Sequence, residues 1–232
     1  MKREMKKNVC VALCLLLSFV LWTIAVCYLD VQPIGPNGSS VGFAGVNGFF
    51  HRLTGVHMLI YTITDWLGLV PLCVVLGSAM LGLVQLIKRR SLLKVDPDIL
   101  VLGGFYIVVM AAYVFFEMVV INYRPVLING YLEASYPSST TLLVLCVMPT
   151  AMMQLYGRIK NEKLRTVILV LIGVFTIFMV VGRLVSGVHW LTDIIGGVLL
   201  SGGLVMIYDT VIFYLTAIRK SDELISDTKE NE

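Results

Sequence analysis

Gly182-Arg183-Leu184-Val185-Ser186-Gly187-Val188-His189-Trp190-Leu191-Thr192-Asp193 is a polar break between two long apolar runs, 164–185 and 190–217. Each run supplies the roughly 20 apolar residues that a helix needs to cross a bilayer core. The break therefore reads as a turn joining two membrane spans at one face. His189 and Asp193 are four apart, so on a helix they share a face and the carboxylate can approach the imidazole. A carboxylate so placed fixes the ring tautomer and stabilises an imidazolium, which suits a histidine that attacks an electrophile or moves a proton. Arg183, across a turn containing Gly187, offers the planar fork of donors that matches phosphate oxygens. The alternative is that these residues only finish two helices at the interface, as arginine and tryptophan often do. Taken alone, the stretch supports both readings.

The rest of the chain has the same character. Of its 232 residues, 58% are hydrophobic and 14% charged, against roughly 25% charge in soluble domains. The mean hydropathy is +0.88. Six runs are long enough to span: 9–28, 58–87, 98–121, 138–156, 164–185 and 190–217. The expected architecture is an all-α bundle of six transmembrane helices over 9–217, with a short N-terminal tail (1–8) and a disordered polar tail (218–232). The basic start followed by an apolar run resembles a signal peptide, but about 20 residues exceed the usual 7–15 of a signal core; an uncleaved first span is expected. Between the first two runs, Gln32 to Gly55 is rich in glycine and turn residues. It reads as turns, including Gly35-Pro36-Asn37-Gly38, followed by a short surface helix from Val46 to Leu53. Cys10, Cys14, Cys27, Cys73 and Cys146 show no ligand spacing and read as small buried hydrophobes, with neither a disulfide framework nor a metal site.

Lysine and arginine set the expected orientation. With both termini cytoplasmic, fifteen of the eighteen basic residues fall on the inner side and only Arg52, Arg124 and Arg183 on the outer. This distribution accounts for the net charge of +3 without invoking nucleic acid. It also leaves each outer arginine in need of a local reason.

Two further outer stretches carry polar groups. Arg124-Pro125 ends the third run, where proline stops the helix and holds the arginine at the boundary; a snorkelling interfacial arginine is the alternative. Tyr136-Pro137-Ser138-Ser139-Thr140-Thr141 opens the fourth run. Its free backbone N–H groups and the positive end of the helix dipole make an anion site, although Ser138 or Ser139 can equally be an N-cap. All these groups lie at the outer ends of runs three to six. If they converge, two arginines, a helix N-terminus and a carboxylate-backed histidine make a phosphate site with a nucleophile in it.

Their order and spacing resemble the type 2 phosphatidic acid phosphatase family, whose signature is K-x6-R-P, P-S-G-H and S-R-x5-H-x3-D. The matching stretches are E-x6-R-P (Glu117 to Pro125), P-S-S-T (Pro137 to Thr140) and G-R-x5-H-x3-D (Gly182 to Asp193). The resemblance implies a cell-membrane lipid phosphatase that needs no metal or cofactor. His189 would form a phosphohistidine, Asp193 would orient it, and Arg124, Arg183, Ser138, Ser139 and Thr140 would bind the phosphoryl group of a lipid phosphate or diphosphate on the extracytoplasmic side.

The family lysine is Glu117 here, and the family's acid histidine is Thr140. Loss of a general acid costs roughly 10²–10⁴ in rate. A monoester leaves as an alkoxide and needs a proton, whereas a diphosphate leaves as a phosphate monoester with a second pKa of about 6. A lipid diphosphate, such as a polyprenyl carrier, is therefore the expected substrate. Glu133, His51 and His57 are the other candidate acids, and Glu117 is expected to pair with Arg124. The alternatives are a non-catalytic family member that binds a lipid headgroup or a partner protein, and a transporter. The transporter finds little support, because paired charges at mid-depth and inverted halves are both missing from the sequence.

Overall fold

The computed structural model describes residues 2–230; Met1, Asn231 and Glu232 lie outside the described residues, as do the side chains of Lys2 and of all residues from 220 onward. Its helices are α1 (Lys2–Tyr28), α2 (Ala44–Thr54), α3 (Met58–Leu67), α4 (Leu69–Arg89), α5 (Pro97–Met118), α6 (Ser139–Arg158), α7 (Glu162–Val185) and α8 (Leu191–Glu230). The fold is all-α, and six helical stretches are long and apolar enough to cross a membrane. Among the described residues, β structure is confined to three isolated bridges.

The second span, 58–89, is broken into α3 and α4 at Gly68. Pro71, one turn on, has no N–H for the Leu67 carbonyl and its ring crowds that carbonyl, which breaks the helix there. The surface helix expected from Val46 to Leu53 is α2, longer at both ends, and the expected turn at 35–38 contains a 3₁₀ turn over Pro36–Gly38.

Both ends of the described chain continue their spans as helix. Residues 2–8 are already helical, the first turns of α1, because Lys, Glu and Met are good helix formers next to a span that nucleates them. The region expected to be disordered, 218–232, is helical through Glu230, and its last two residues lie outside the described residues. No glycine or proline follows Gly203, so nothing in the sequence breaks α8 once the span has started it. The cysteines differ too: only Cys146 is buried, while Cys10, Cys14, Cys27 and Cys73 lie exposed on apolar helix surfaces. In a membrane bundle the lipid solvates such faces, so an apolar run need not be an interior one.

α6 is the central helix. Within its spanning window 44% of residues are buried, against 28% or less in the other five. Leu142, Val144, Cys146, Val147 and Met148 pack there with Leu102, Phe105 and Val109 of α5, Met179 of α7, and Leu200 and Tyr208 of α8. α1 lies along α8, where Gly203 admits Leu16 so closely that a Cβ would come within 2.6 Å of its side chain.

One end of the bundle carries the connections 29–57, 119–138 and 186–190, and these are bonded to one another. The His57 N–H donates to the Ser186 carbonyl at 2.9 Å. The Asn47 amide donates to Thr192 Oγ1 at 3.0 Å while its carbonyl accepts from the Thr192 N–H at 3.2 Å. The Trp190 indole donates to the Tyr123 carbonyl at 2.8 Å. Gly187 sits in this layer with φ +69°, and a Cβ there would lie 1.9 Å from the Gly55 carbonyl oxygen. Gly187→Ala is therefore expected to lower stability by about 3 kcal/mol. Thermal unfolding in detergent measures this against Gly103→Ala, whose Cβ meets nothing within 4 Å.

Candidate active site

The site forms where three of those connections meet. α5 ends at Met118, and the chain then runs out and back as a short antiparallel excursion. Its tip is Asn129-Gly130, with φ +51° and +85°, and the flanking Ile128 and Tyr131 exchange backbone hydrogen bonds of 3.1 and 2.9 Å. Positive φ at both central residues is the type I′ hairpin signature, for which Asn-Gly is the favoured pair. On the way out and back, the Arg124 N–H donates to the Glu133 carbonyl at 3.0 Å and the Ser135 N–H to the Asn122 carbonyl at 2.9 Å. The hairpin thereby sets Arg124 and Ser135 at one level above α6.

His189 lies in the non-helical break before α8 and not on the helix itself. Asp193 is in the first turn of α8 and turns its carboxylate back to accept the Trp190 N–H at 2.8 Å, as in a capping box. The four-residue spacing therefore brings the two together, but His189 Nδ1 and Asp193 Oδ2 stay 3.7 Å apart. The Ser135 hydroxyl fills the gap, 3.1 Å from His189 Nδ1 and donating to Asp193 Oδ2 at 2.5 Å. Ser135 was not anticipated from the sequence. The Asn-Gly pair was the signal that would have found it, since the hairpin it sets returns the chain to this level.

On its other side, the His189 ring faces both arginines. Nε2 is 3.4 Å from Arg124 Nη1 and 3.3 Å from Arg183 Nη2. His189 is 4% exposed and Arg183 1%. Burial above all, and then the charges of Arg124 and Arg183, hold the imidazole well below its ordinary pKa, which favours the neutral ring. Both guanidinium groups lie over the Tyr61 ring, at 5.9 and 5.0 Å from its centre.

The arginines are only partly satisfied. Arg124 Nε is 3.1 Å from a Glu133 carboxylate oxygen and Arg183 Nη1 is 3.5 Å from Asp65, yet neither contact has hydrogen-bond direction. Arg124 Nε and both Nε and Nη1 of Arg183 are buried N–H donors without an acceptor within the protein. Buried N–H groups are normally paired with protein, water or a ligand, and these donors suit an anion. The expected Glu117–Arg124 ion pair is not made; the partner is Glu133. Seven residues is two turns only on a continuous helix, and α5 stops at Met118.

The start of α6 divides its roles. Ser138 caps the helix, accepting from the Thr141 N–H at 3.4 Å and from its hydroxyl at 3.0 Å, while its own N–H donates to the Asp193 carbonyl at 3.1 Å. Ser138 is thus committed to the protein. Ser139 and Thr140 are half-buried and leave their N–H groups free at the positive end of α6. The His51 ring lies tilted against that of Trp190, centroids 5.4 Å apart, and His57 lies exposed against the Thr54 carbonyl; neither is bonded to the groups around His189.

A six-span bundle with a buried imidazole between two guanidinium groups at one end defines an integral-membrane phosphatase fold. The chain belongs to the PAP2 superfamily, whose family model matches residues 68–217. Among solved structures it is similar to a transmembrane PAP2-type phosphatidylglycerolphosphate phosphatase from Bacillus subtilis, at 19% identity and TM-score 0.58, over 88% of this chain and 96% of that one. No curated protein matches the chain.

Proposed function

We propose that this membrane phosphatase hydrolyses a lipid diphosphate through a phosphohistidine on His189. The observation that carries the reading is a buried imidazole whose Nε2 lies 3.4 and 3.3 Å from two guanidinium groups, each of which keeps further buried N–H donors without a hydrogen bond to the protein. Arg124 and Arg183 would hold the non-bridging phosphoryl oxygens by charge-assisted bonds, and the N–H groups of Ser139 and Thr140 would take a further oxygen. His189 Nε2 attacks phosphorus, the bond to the leaving oxygen breaks, and the electron pair departs with the lipid monophosphate. Water then attacks the phosphorus of the phosphohistidine, the P–N bond breaks with its electron pair returning to Nε2, and the neutral imidazole is regenerated as inorganic phosphate leaves carrying the water's oxygen and protons. Family membership supports the phosphatase class.

The diphosphate preference rests on the leaving group. Thr140 is no acid near neutrality, neither His51 nor His57 is bonded into the site, and Glu133 is engaged as the ion-pair partner of Arg124, 3.1 Å from its Nε. A leaving group that departs at neutral pH without a proton removes the need for one. The orientation proposed places the site on the extracytoplasmic side of the cell membrane, because fifteen of the eighteen basic residues then face the cytoplasm.

The expected result is faster phosphate release from a polyprenyl diphosphate than from the matching monophosphate, by roughly 10² or more, in line with the worth of a general acid. Equal rates would remove the diphosphate assignment. If the wild type released phosphate from neither lipid yet bound vanadate, a headgroup-binding role would replace turnover.

A further inference from the structure

We propose that Ser135 is a positioning residue for the nucleophile, linking Asp193 to His189 and fixing the imidazole as its Nδ1–H tautomer; the proposal rests on the phosphohistidine reading. The direct path between the two side chains is too long to carry this. Nδ1 and Oδ2 are 3.7 Å apart, beyond hydrogen-bond range, whereas the serine oxygen is 3.1 Å from one and 2.5 Å from the other.

The chemistry of a hydroxyl sets the direction. It has one proton and two lone pairs, while a carboxylate has only acceptors. The Ser135 proton therefore goes to Asp193 Oδ2, and a lone pair of the same oxygen is left facing Nδ1. That contact is a hydrogen bond only if Nδ1 carries the proton. In a neutral ring Nε2 is then bare, and Nε2 is the atom that faces Arg124 and Arg183. The other tautomer would set two lone pairs against each other at Nδ1 and point an N–H at two cations.

Both ends of this chain of bonds are held. Oδ2 also accepts the Trp190 N–H at 2.8 Å, which fixes the carboxylate. Ser135 is 2% exposed, its N–H is tied to the Asn122 carbonyl at 2.9 Å, and the next residue, Tyr136, is anchored through its hydroxyl to Thr23 at 2.7 Å. As Nε2 bonds to phosphorus the ring becomes cationic, and the polarised Ser135–Asp193 pair stabilises that charge across buried, low-dielectric space.

The test compares Ser135→Ala, Ser135→Cys and Ser135→Thr with the wild type in detergent. Alanine and cysteine are expected to lower kcat by roughly 10-fold or more, the scale seen when the hydrogen-bond partner that orients a working histidine is lost, with KM little changed. Threonine keeps the hydroxyl and is expected to stay within a few-fold of wild type. The second readout needs no substrate: the rate at which diethyl pyrocarbonate modifies His189, with the reaction of His189→Ala subtracted as background. It should fall with kcat in the alanine and cysteine variants and recover in threonine. A role confined to stability would lower the unfolding temperature without moving this rate.

If Ser135→Ala turns over and reacts like wild type, Asp193 reaches the ring unaided and the proposal is overturned. If the wild type releases no phosphate from any lipid while the reagent still distinguishes the variants in this order, the phosphohistidine reading fails and the assignment of Ser135 stands.

Discussion

His189→Ala is expected to abolish phosphate release, by a factor on the order of 10⁴ or more, and to leave no phosphoenzyme on acid quenching. Losses of that order follow removal of a nucleophile that works as part of a unit. Binding of vanadate should survive, because both guanidinium groups and the start of α6 remain. Release at an undiminished rate would remove His189 from the chemistry. The pH profile offers a second check. Burial and two neighbouring cations favour the neutral ring, so the acid limb of kcat/KM, set by protonation of the free enzyme, should fall well below the ordinary histidine value of about 6.5. Arg124→Gln removes one of those cations and should move the limb upward, towards that value. A limb at about 6.5 in both proteins would show a ring that feels neither charge.

The second large effect is expected at Arg183. Its side chain is 1% exposed and rests on the Tyr61 ring at 5.0 Å, with one donor reaching His189 Nε2 and two without acceptors. Arg183→Ala should lower kcat/KM by roughly 10²–10³, the usual loss of one preorganised donor set at a developing charge. The protein should still fold, because Asp65, the carboxylate left without its partner among the described residues, is 57% exposed and can turn to water. Arg183→Lys separates charge from geometry. An ammonium is a single point of charge and cannot serve phosphate and imidazole together as the fork does, so it should recover no more than about tenfold. A lysine variant with full activity would mean that charge alone is needed there.

The bundle was legible because an apolar run of about 20 residues has few options other than a span, and the runs at 9–28 and 164–185 gave α1 and α7 nearly in full. Helix breaks were harder to see. Pro71 splits the second run one turn upstream of itself, at Gly68, and the polar tail after 217 stays helical because no residue in it stops a helix. Burial was not legible at all for the cysteines, since lipid and protein interior select the same residue types. At the site, motif spacing brought His189, Asp193, Arg124 and Arg183 to one place. It missed what depends on the path between motifs. The 119–138 excursion pairs Arg124 with Glu133 and not Glu117, and it delivers Ser135 into the gap between histidine and aspartate. Spacing counted along a helix says nothing about a hairpin that returns.

The family match begins at residue 68, yet several contacts that shape this site come from before it. Asn47 grips the start of α8 through Thr192, the Tyr61 ring underlies both guanidinium groups, and Asp65 stands against Arg183. Transplanting only residues 68–217, the stretch the family model matches, into a related scaffold would leave the recipient's own floor beneath the donor's cations. A chimaera meant to carry this enzyme's preferences must also bring its residues 42–67, and exchanging that stretch alone is a direct way to ask which half of the molecule chooses the headgroup.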